Sequence, residues 1–574
     1  MNLKVARSLE IVFVRLRTVR IRPRKNRLSS LWRKWNVRKL KFLPSIYMKM
    51  KHFFHTFSIA SAIAVVSSSV VFAEKKEQAL PADPDGFLSI FDGKSLNHWD
   101  GNPEFWRVEE GTITGQTTAE KPTKGNTFIQ WTAGELDDFE LKLEYKIIGG
   151  NSGIQYRSFE VPGEKWVIGG YQADFEAGDT WSGLNYGERF RGILAKRGEK
   201  ATVADDGKPV VTGSLGDPKE LQQSIKKEDW NEYHIIAKGF TMQHYINGKL
   251  MSELVDEDMD TRRRGGVLAL QLHAGPPMKV QFRNIQLKRL PLGDKKKIAL
   301  LAGNKSHGYG AHEHRAGCML LAEQLNKHMG DKIHAVVYDS GWPTDPTVLQ
   351  NADAIIMFCD GGGRHMARWH RNQIDYYAKK GIGIGCVHYG VEVPKDQGGA
   401  EFLNWIGGYF ETDWSVNPHW EADFTQFPEH PVTRGVKPFS VNDEWYYHMR
   451  FRDDMKGVTP ILSALPPEST LTRKDGPHSG NPHVRAAVLG RKEPQHVCWV
   501  SENEGGGRGF GFTGAHFHNN WANDSFRTVV LNAVTWIAKV DVPEGGVLSD
   551  SPDEAALEAN QDFPKPGEKK KKNK

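Results

Sequence analysis

At 574 residues the chain is too long for one hydrophobic core, so two domains plus extensions are expected. Its formal net charge of +6 points to an anionic partner, but residues 1–73 hold 16 Lys and Arg against one acid, Glu10, which leaves −9 for the remainder. That distribution argues against a nucleic-acid partner, because the folded part carries no excess of positive charge.

Lys49 and Lys51 precede an apolar run, FSIASAIAVVSSSVVFA, that ends with small-type residues at Val71 and Ala73. This is the layout of a secretory signal cleaved after Ala73, with Met48 or Met50 as the start. The expectation is a basic extension plus signal peptide over 1–73 and an exported protein, periplasmic or extracellular. An uncleaved membrane anchor is the alternative, although the run is Ser-rich and short for a span.

From about 83 to 291 the chain alternates short apolar segments with Gly, Asn, Asp and Pro. In DFELKLEYKI, Phe139, Leu141, Leu143 and Tyr145 share one face, and Glu140, Lys142, Glu144 and Lys146 the other. Asn247-Gly248 between apolar runs is a strong hairpin signal. Many such strands without helical periodicity predict an all-β sandwich of antiparallel sheets.

After PLGDKKK the pattern changes. KIALLAG, IHAVVYD, DAIIMFCD and GIGIGCVHYG read as strands buried on both faces, with helical stretches starting near Glu313 and His365. This is a βαβ rhythm and predicts an α/β, flavodoxin-like domain over 297–541 with a parallel sheet. Residues 542–574, rich in Pro, Glu and Lys, read as a disordered charged tail. The four cysteines, Cys318, Cys359, Cys386 and Cys498, match neither a disulfide framework nor a zinc knuckle.

Three predicted strands of the first domain each carry one unusual polar face. GGVLALQLHAG sets Gln271 and His273 opposite Leu268, Leu270 and Leu272. NSGIQYRSF sets Asn151, Gln155 and Arg157 opposite Ile154 and Tyr156. GGYQADFEAG sets Gln172, Asp174 and Glu176 opposite Tyr171, Ala173 and Phe175. If the strands share a sheet, amides, carboxylates, an arginine and a histidine converge on a surface suited to sugar hydroxyls. The plainer reading is the solvated side of an antiparallel sheet, but such faces are rich in Lys, Glu and Thr, as at Glu140 to Lys146.

The blocks GFLSIFDGKSLNHW, NSGIQYR, GGYQADFEAG, YGERFRGILAKRGEK and GGVLALQLHAGPPMKVQFRNIQLK resemble the 3-keto-disaccharide hydrolase family over nearly all of 83–291. The resemblance implies a concanavalin-like jelly-roll sandwich acting on glycosides with a ketone at carbon 3. That ketone acidifies the proton on carbon 2, so a base can remove it, the glycosidic oxygen can leave carbon 1, and water can add. Such a reaction needs a base tuned near neutral pH and an electrophile for the enolate oxygen. The candidates are His273 or Glu176 as base, Asp174 to orient it, Arg157 or a bound cation as electrophile, and Glu188 to protonate the leaving oxygen. Asn151, Gln155, Gln172 and Gln271 are expected to bind the sugar. A carbohydrate-binding sandwich fused to a separately active or silent partner is the alternative.

In an open parallel sheet, ligands bind beyond the carboxyl ends of the strands. Those ends carry Asn304 to His307, Asp360 to Gly363, His388 and His516, and His312-Glu313-His314 opens the first helix. In GCVHYG a strand turns sharply so that His388 is presented at the sheet top, while Cys386 lies on the strand itself, which disfavours thiol catalysis. IALLAGNKSHGY, GIGIGCVHYG, HPVTRGVKPFSVNDEWYYHMRF and GFGFTGAHFHNNWANDSFRTVVLNAVTWIA resemble the ThuA-like trehalose-utilisation family, which implies a class I glutamine amidotransferase-like fold. The expected second cleft comprises Asn304, His307, His388, Glu444 and His516, of which His307, His388, Glu444 and His516 could ligate a divalent metal ion. No nucleotide-binding glycine fingerprint is found, so the oxidation that makes a 3-keto sugar is expected of a separate oxidoreductase.

Overall fold

The computed structural model describes residues 85–567, so the expected extension and secretory signal at 1–73 lie outside the described residues. Among the described residues no helix is long and apolar enough to cross a membrane.

The first domain is a sandwich of two sheets. The larger contains Phe139–Ile148 between Asn231–Lys238 and Lys279–Arg289; the smaller, of seven strands, runs in the order Gly192–Ala195, Asn185–Glu188, Ile168–Glu176, Asn151–Glu160, Gly266–Leu272, Thr127–Leu136 and Trp99–Gly101. Strict alternation drives the packing. Phe139, Leu141, Leu143 and Tyr145 of the larger sheet and Ile154, Tyr156, Tyr171, Phe175, Leu268, Leu270 and Leu272 of the smaller form one buried core. Each buried leucine contributes about 2 kcal/mol of transfer free energy. Asn247 and Gly248 both have positive φ, at 48° and 76°, as the tight turn between two paired strands requires.

Gly275-Pro276-Pro277 form the turn that follows His273. Gly266–Leu272 lies in the smaller sheet and Lys279–Arg289 in the larger, so the turn crosses from one sheet to the other and carries His273 to the end of the smaller one.

In the second domain the sheet order is Ile333–Tyr338, Lys296–Ala302, Ala354–Phe358, Gly383–Val387, Arg508–Phe512, Gln495–Glu502 and Val458–Ala464. The first five are parallel, as expected from the βαβ rhythm. Gln495–Glu502 pairs antiparallel to both its neighbours, so one edge of the sheet departs from the all-parallel expectation.

A buried ionic joint ties the domains. Arg289, on the last strand of the sandwich, donates to Asp137 at 2.9 Å and Asp345 at 2.5 Å, and Lys297 on the first strand of the second domain reaches Asp137 at 2.8 Å. Asp137 is half-buried, which raises its carboxyl, yet the charges of Lys297 and Arg289 hold it well below the usual carboxylate range.

Residues 542–567 are not the disordered tail that composition predicts. Val542 and Val547 are buried in the core of the second domain, and the Asp562 amide donates to Glu313 at 2.7 Å. A few apolar anchors and specific partners suffice to order a charged segment whose average composition is polar.

Candidate functional site

The register of the smaller sheet sets Asn151 opposite Glu176, Gly153 opposite Asp174 and Gln155 opposite Gln172 on adjacent strands. These rungs place their polar side chains on the face away from the core. Gly153 is required there, because a Cβ would lie 2.5 Å from the Gln172 side chain that crosses over it. The resulting cleft of about 760 Å³ is lined by Asn151, Gln172, Asp174, Glu176, Glu188 and His273, and also by Asn126, Trp181 and Tyr186. Its size lies within the usual range for small-molecule sites.

A network of amides forms the floor. Gln172 Oε1 accepts from Gln155 Nε2 at 2.6 Å and from Gln271 Nε2 at 3.1 Å. Because that oxygen faces two donors, the Gln172 amide is oriented with its NH₂ toward Asp174, to which it donates. Gln155 and Gln271 are fully buried and therefore hold the floor in place beneath the lining residues. Glu188 accepts from Gln271 Nε2 at 3.3 Å and from Asn126 Nδ2 at 3.3 Å.

The electrostatics single out Asp174. Burial pushes its carboxyl up, opposed by hydrogen bonds from Gln172 and Asn151 and reinforced by the charges of Glu188 and Glu176, to about 8. It is thus a carboxylic acid that keeps its proton at neutral pH. His273 Nδ1 lies 2.5 Å from the carbonyl oxygen of Ala274, an acceptor only, so Nδ1 carries a proton and Nε2 is the ring nitrogen left to face a ligand. Glu176 Oε1 accepts from the Thr180 and Trp181 amides at 2.5 and 2.8 Å, which fixes the loop that presents Trp181. Trp181 is 42% exposed on the cleft, a planar apolar surface of the kind that stacks on sugar rings.

Arg157 departs from expectation. Alternation sets it beside Asn151 and Gln155, but its φ is 47° and the register of its strand shifts between Tyr156 and Phe159. The bulge turns the side chain away from the cleft. Its guanidinium is fully buried, paired to Asp138 at 2.8 Å and donating to the carbonyls of Asp137 and Gly239. Asn126, Trp181 and Tyr186 escaped the sequence reading; the Trp-Ser-Gly-Leu-Asn-Tyr stretch was the available signal for the last two.

A second constellation lies at the carboxyl ends of the parallel strands. His388 follows Gly383–Val387 at a φ of 52°, the sharp turn expected of GCVHYG. Its Nδ1 donates to the Thr513 carbonyl at 2.8 Å, so its Nε2 bears a lone pair. That atom lies 3.1 Å from His312 Nε2 and 3.6 Å from Glu444 Oε2, while His516 Nδ1 lies 3.0 Å from each of His312 Nε2 and Glu444 Oε2. The buried carboxylate of Asp443 accepts from the Ala515 and His516 amides and so fixes the loop carrying His516.

Of the expected ligand set, His388, Glu444 and His516 meet, whereas the fourth position is taken by His312. His307 is displaced to the exposed rim, stacked on His312 with ring centroids 3.5 Å apart. Asn304 is exposed, and its backbone carbonyl accepts from His314. Burial lowers the pKa of His388 well below, and that of His312 below, the ordinary histidine value, which disfavours the charged form of both rings. Burial pushes the Cys386 thiol well above its ordinary range, in line with the expectation that it is no nucleophile.

Residues 86–288 match the family described as the 3-keto-alpha-glucoside-1,2-lyase-like domain, and residues 299–537 the family described as trehalose utilisation. A protein named 3-keto-disaccharide hydrolase from Bacteroides thetaiotaomicron is 38% identical over 113 residues, 18% of this chain and 38% of its own length. Among solved structures, a carbohydrate-binding module from Bacillus subtilis is similar to 33% of this chain and covers 93% of its own, at 17% identity and a TM-score of 0.22. A ThuA-like protein from Bacteroides uniformis is similar to 42% of this chain and covers 91% of its own, at 17% identity and a TM-score of 0.29.

Proposed function

Since the chain carries a 3-keto-disaccharide hydrolase-like domain followed by a ThuA domain, we propose that it is a carbohydrate-active enzyme that cleaves 3-keto-glycosides in the cleft of its sandwich domain. The observation that carries this reading is the meeting of His273, Asp174 and Glu188 in one cleft, with Asp174 held protonated near neutral pH. His273 Nε2 removes the proton from carbon 2, and the electrons pass toward the ketone oxygen. Asp174, sharing its environment with Glu188, donates a hydrogen bond to that oxygen as it gains charge.

The glycosidic oxygen then leaves carbon 1, taking the proton from the imidazolium of His273, and a carbon 1 to carbon 2 double bond forms. Water adds in the reverse sense: His273 takes its proton, the hydroxide bonds to carbon 1, and the proton returns to carbon 2. Atoms and charges balance, with no net oxidation. The neutral acid at Asp174 takes the electrophilic role that Arg157 cannot fill from the core. The oxidation that creates the ketone belongs to a separate oxidoreductase.

The parent glycoside lacks the acidified proton, so it is expected to resist cleavage under conditions that consume the 3-keto form. Comparing sugar release from the two by mass spectrometry tests the proposal. Binding of the keto form without turnover would instead favour a carbohydrate-binding module. The reading includes export, supported by Lys49, Lys51 and the apolar run that ends at Ala73; a mature N-terminus at Glu74 is the expected finding when the secreted or periplasmic protein is sequenced.

A further inference from the structure

We infer that His312, His388, Glu444 and His516 of the second domain form a binding site for one divalent transition-metal ion, separate from the sandwich cleft. The donor atoms all lie within 4.8 Å of one another. Four of the separations, 3.0, 3.1, 3.0 and 3.6 Å, suit ligands around one ion. For metal–nitrogen bonds of about 2.1 Å, donors lie roughly 3.0 Å apart at right angles and roughly 3.4 Å apart at the tetrahedral angle.

The protons support the same conclusion. His388 Nδ1 is committed to the Thr513 carbonyl, so Nε2 presents a lone pair to the cluster from a fully buried ring. His312 Nε2 faces both His388 Nε2 and His516 Nδ1, and a single proton on it can serve only one of them. A proton there would also leave His312 Nδ1 as a lone pair facing the Asp360 carboxylate at 3.6 Å. A cation bound to Nε2 reverses this. It accepts the converging lone pairs and puts the His312 proton on Nδ1, toward Asp360, as in the carboxylate–histidine–metal arrangement. Three imidazoles and one carboxylate favour zinc, nickel, cobalt or manganese over magnesium or calcium.

The backbone is built for this convergence. His312 and His388 both have positive φ, at 54° and 52°, and Ala515, which precedes His516, has φ of 81°. Three residues in an uncommon conformation aim three imidazoles at one point.

The test uses the untagged full chain, stripped with a chelator and then titrated with zinc, nickel, cobalt or manganese salts. The expected result is one equivalent of at least one of these ions retained through gel filtration, with visible absorption bands when the ion is cobalt. His388→Ala and His516→Ala should each weaken binding at least about 100-fold, and Asp360→Asn about 10-fold, while thermal melts confirm folding. Asp174→Asn and Glu188→Gln, in the other cleft, should bind the ion like the parent. Failure of the folded parent to retain any of these ions, or retention that survives both His388→Ala and His516→Ala, would overturn the inference. Sugar cleavage is not a readout here, so the outcome is independent of the reaction assigned to the sandwich.

Discussion

Asp174 faces the cleft from a buried position with Glu188 nearby, and burial first, then the Glu188 charge, outweigh its hydrogen bonds to raise its carboxyl to about 8. The relationship has two measurable consequences. A step that needs the protonated acid should proceed through neutral pH and fail as pH rises beyond about 8, so kcat/KM should fall on the alkaline side. Asp174→Asn should remove that alkaline limb along with most of the activity.

The same shift sets a pH dependence of stability. The folded state holds a proton that the unfolded chain releases near 3.8, so Asp174 contributes least unfavourably below that value and increasingly destabilises the fold as pH rises toward about 8. Asp174→Asn should therefore be more stable than the parent at pH 8, by on the order of 1 kcal/mol or more, and closer to it at pH 4. Urea denaturation at the two pH values measures the difference.

Replacing His273 by Ala removes the proposed base but no core contact, since the side chain is only half-buried beyond its strand. A loss of turnover of ~10²-fold or more with an unchanged melting temperature is expected.

Trp181→Ala should raise KM about tenfold, with a smaller effect on kcat, because the ring is exposed on the cleft and offers stacking surface rather than chemistry. Steady-state kinetics on a 3-keto-glycoside separates the two parameters.

Arg157→Met tests the correction to the sequence reading. A cleft residue would change KM and leave stability alone. A core residue paired with Asp138 should instead lower stability, by up to about 3–5 kcal/mol, since the buried carboxylate loses its close partner and keeps only the Arg264 contact at 3.3 Å.

Alternation carried much of this structure in plain sight. A period of two put Gln271, Gln155 and Gln172 on one face, and the register brings them into one network. It failed at Arg157 because a one-residue bulge reverses sidedness locally and leaves no compositional trace. The strand-end rule located His388 and His516, the family resemblance supplied Glu444, and His307 stood where the structure has His312. Both lie in the same loop, and only its backbone conformation decides which ring points inward. The antiparallel strand Gln495–Glu502, next to last in the sheet, was hidden for a related reason, since a strand's direction depends on connections rather than on its own residues. The ordered segment over 542–567 depends on two buried valines that bulk composition averages away.

The most direct measurement uses a 3-keto-glycoside carrying deuterium at carbon 2 of the oxidised sugar, compared with the unlabelled compound and with a control lacking enzyme. Slower cleavage of the labelled substrate, with the label lost to solvent during turnover, is the expected result of proton abstraction by His273. Equal rates, with deuterium fully retained at carbon 2 of the product, would contradict it.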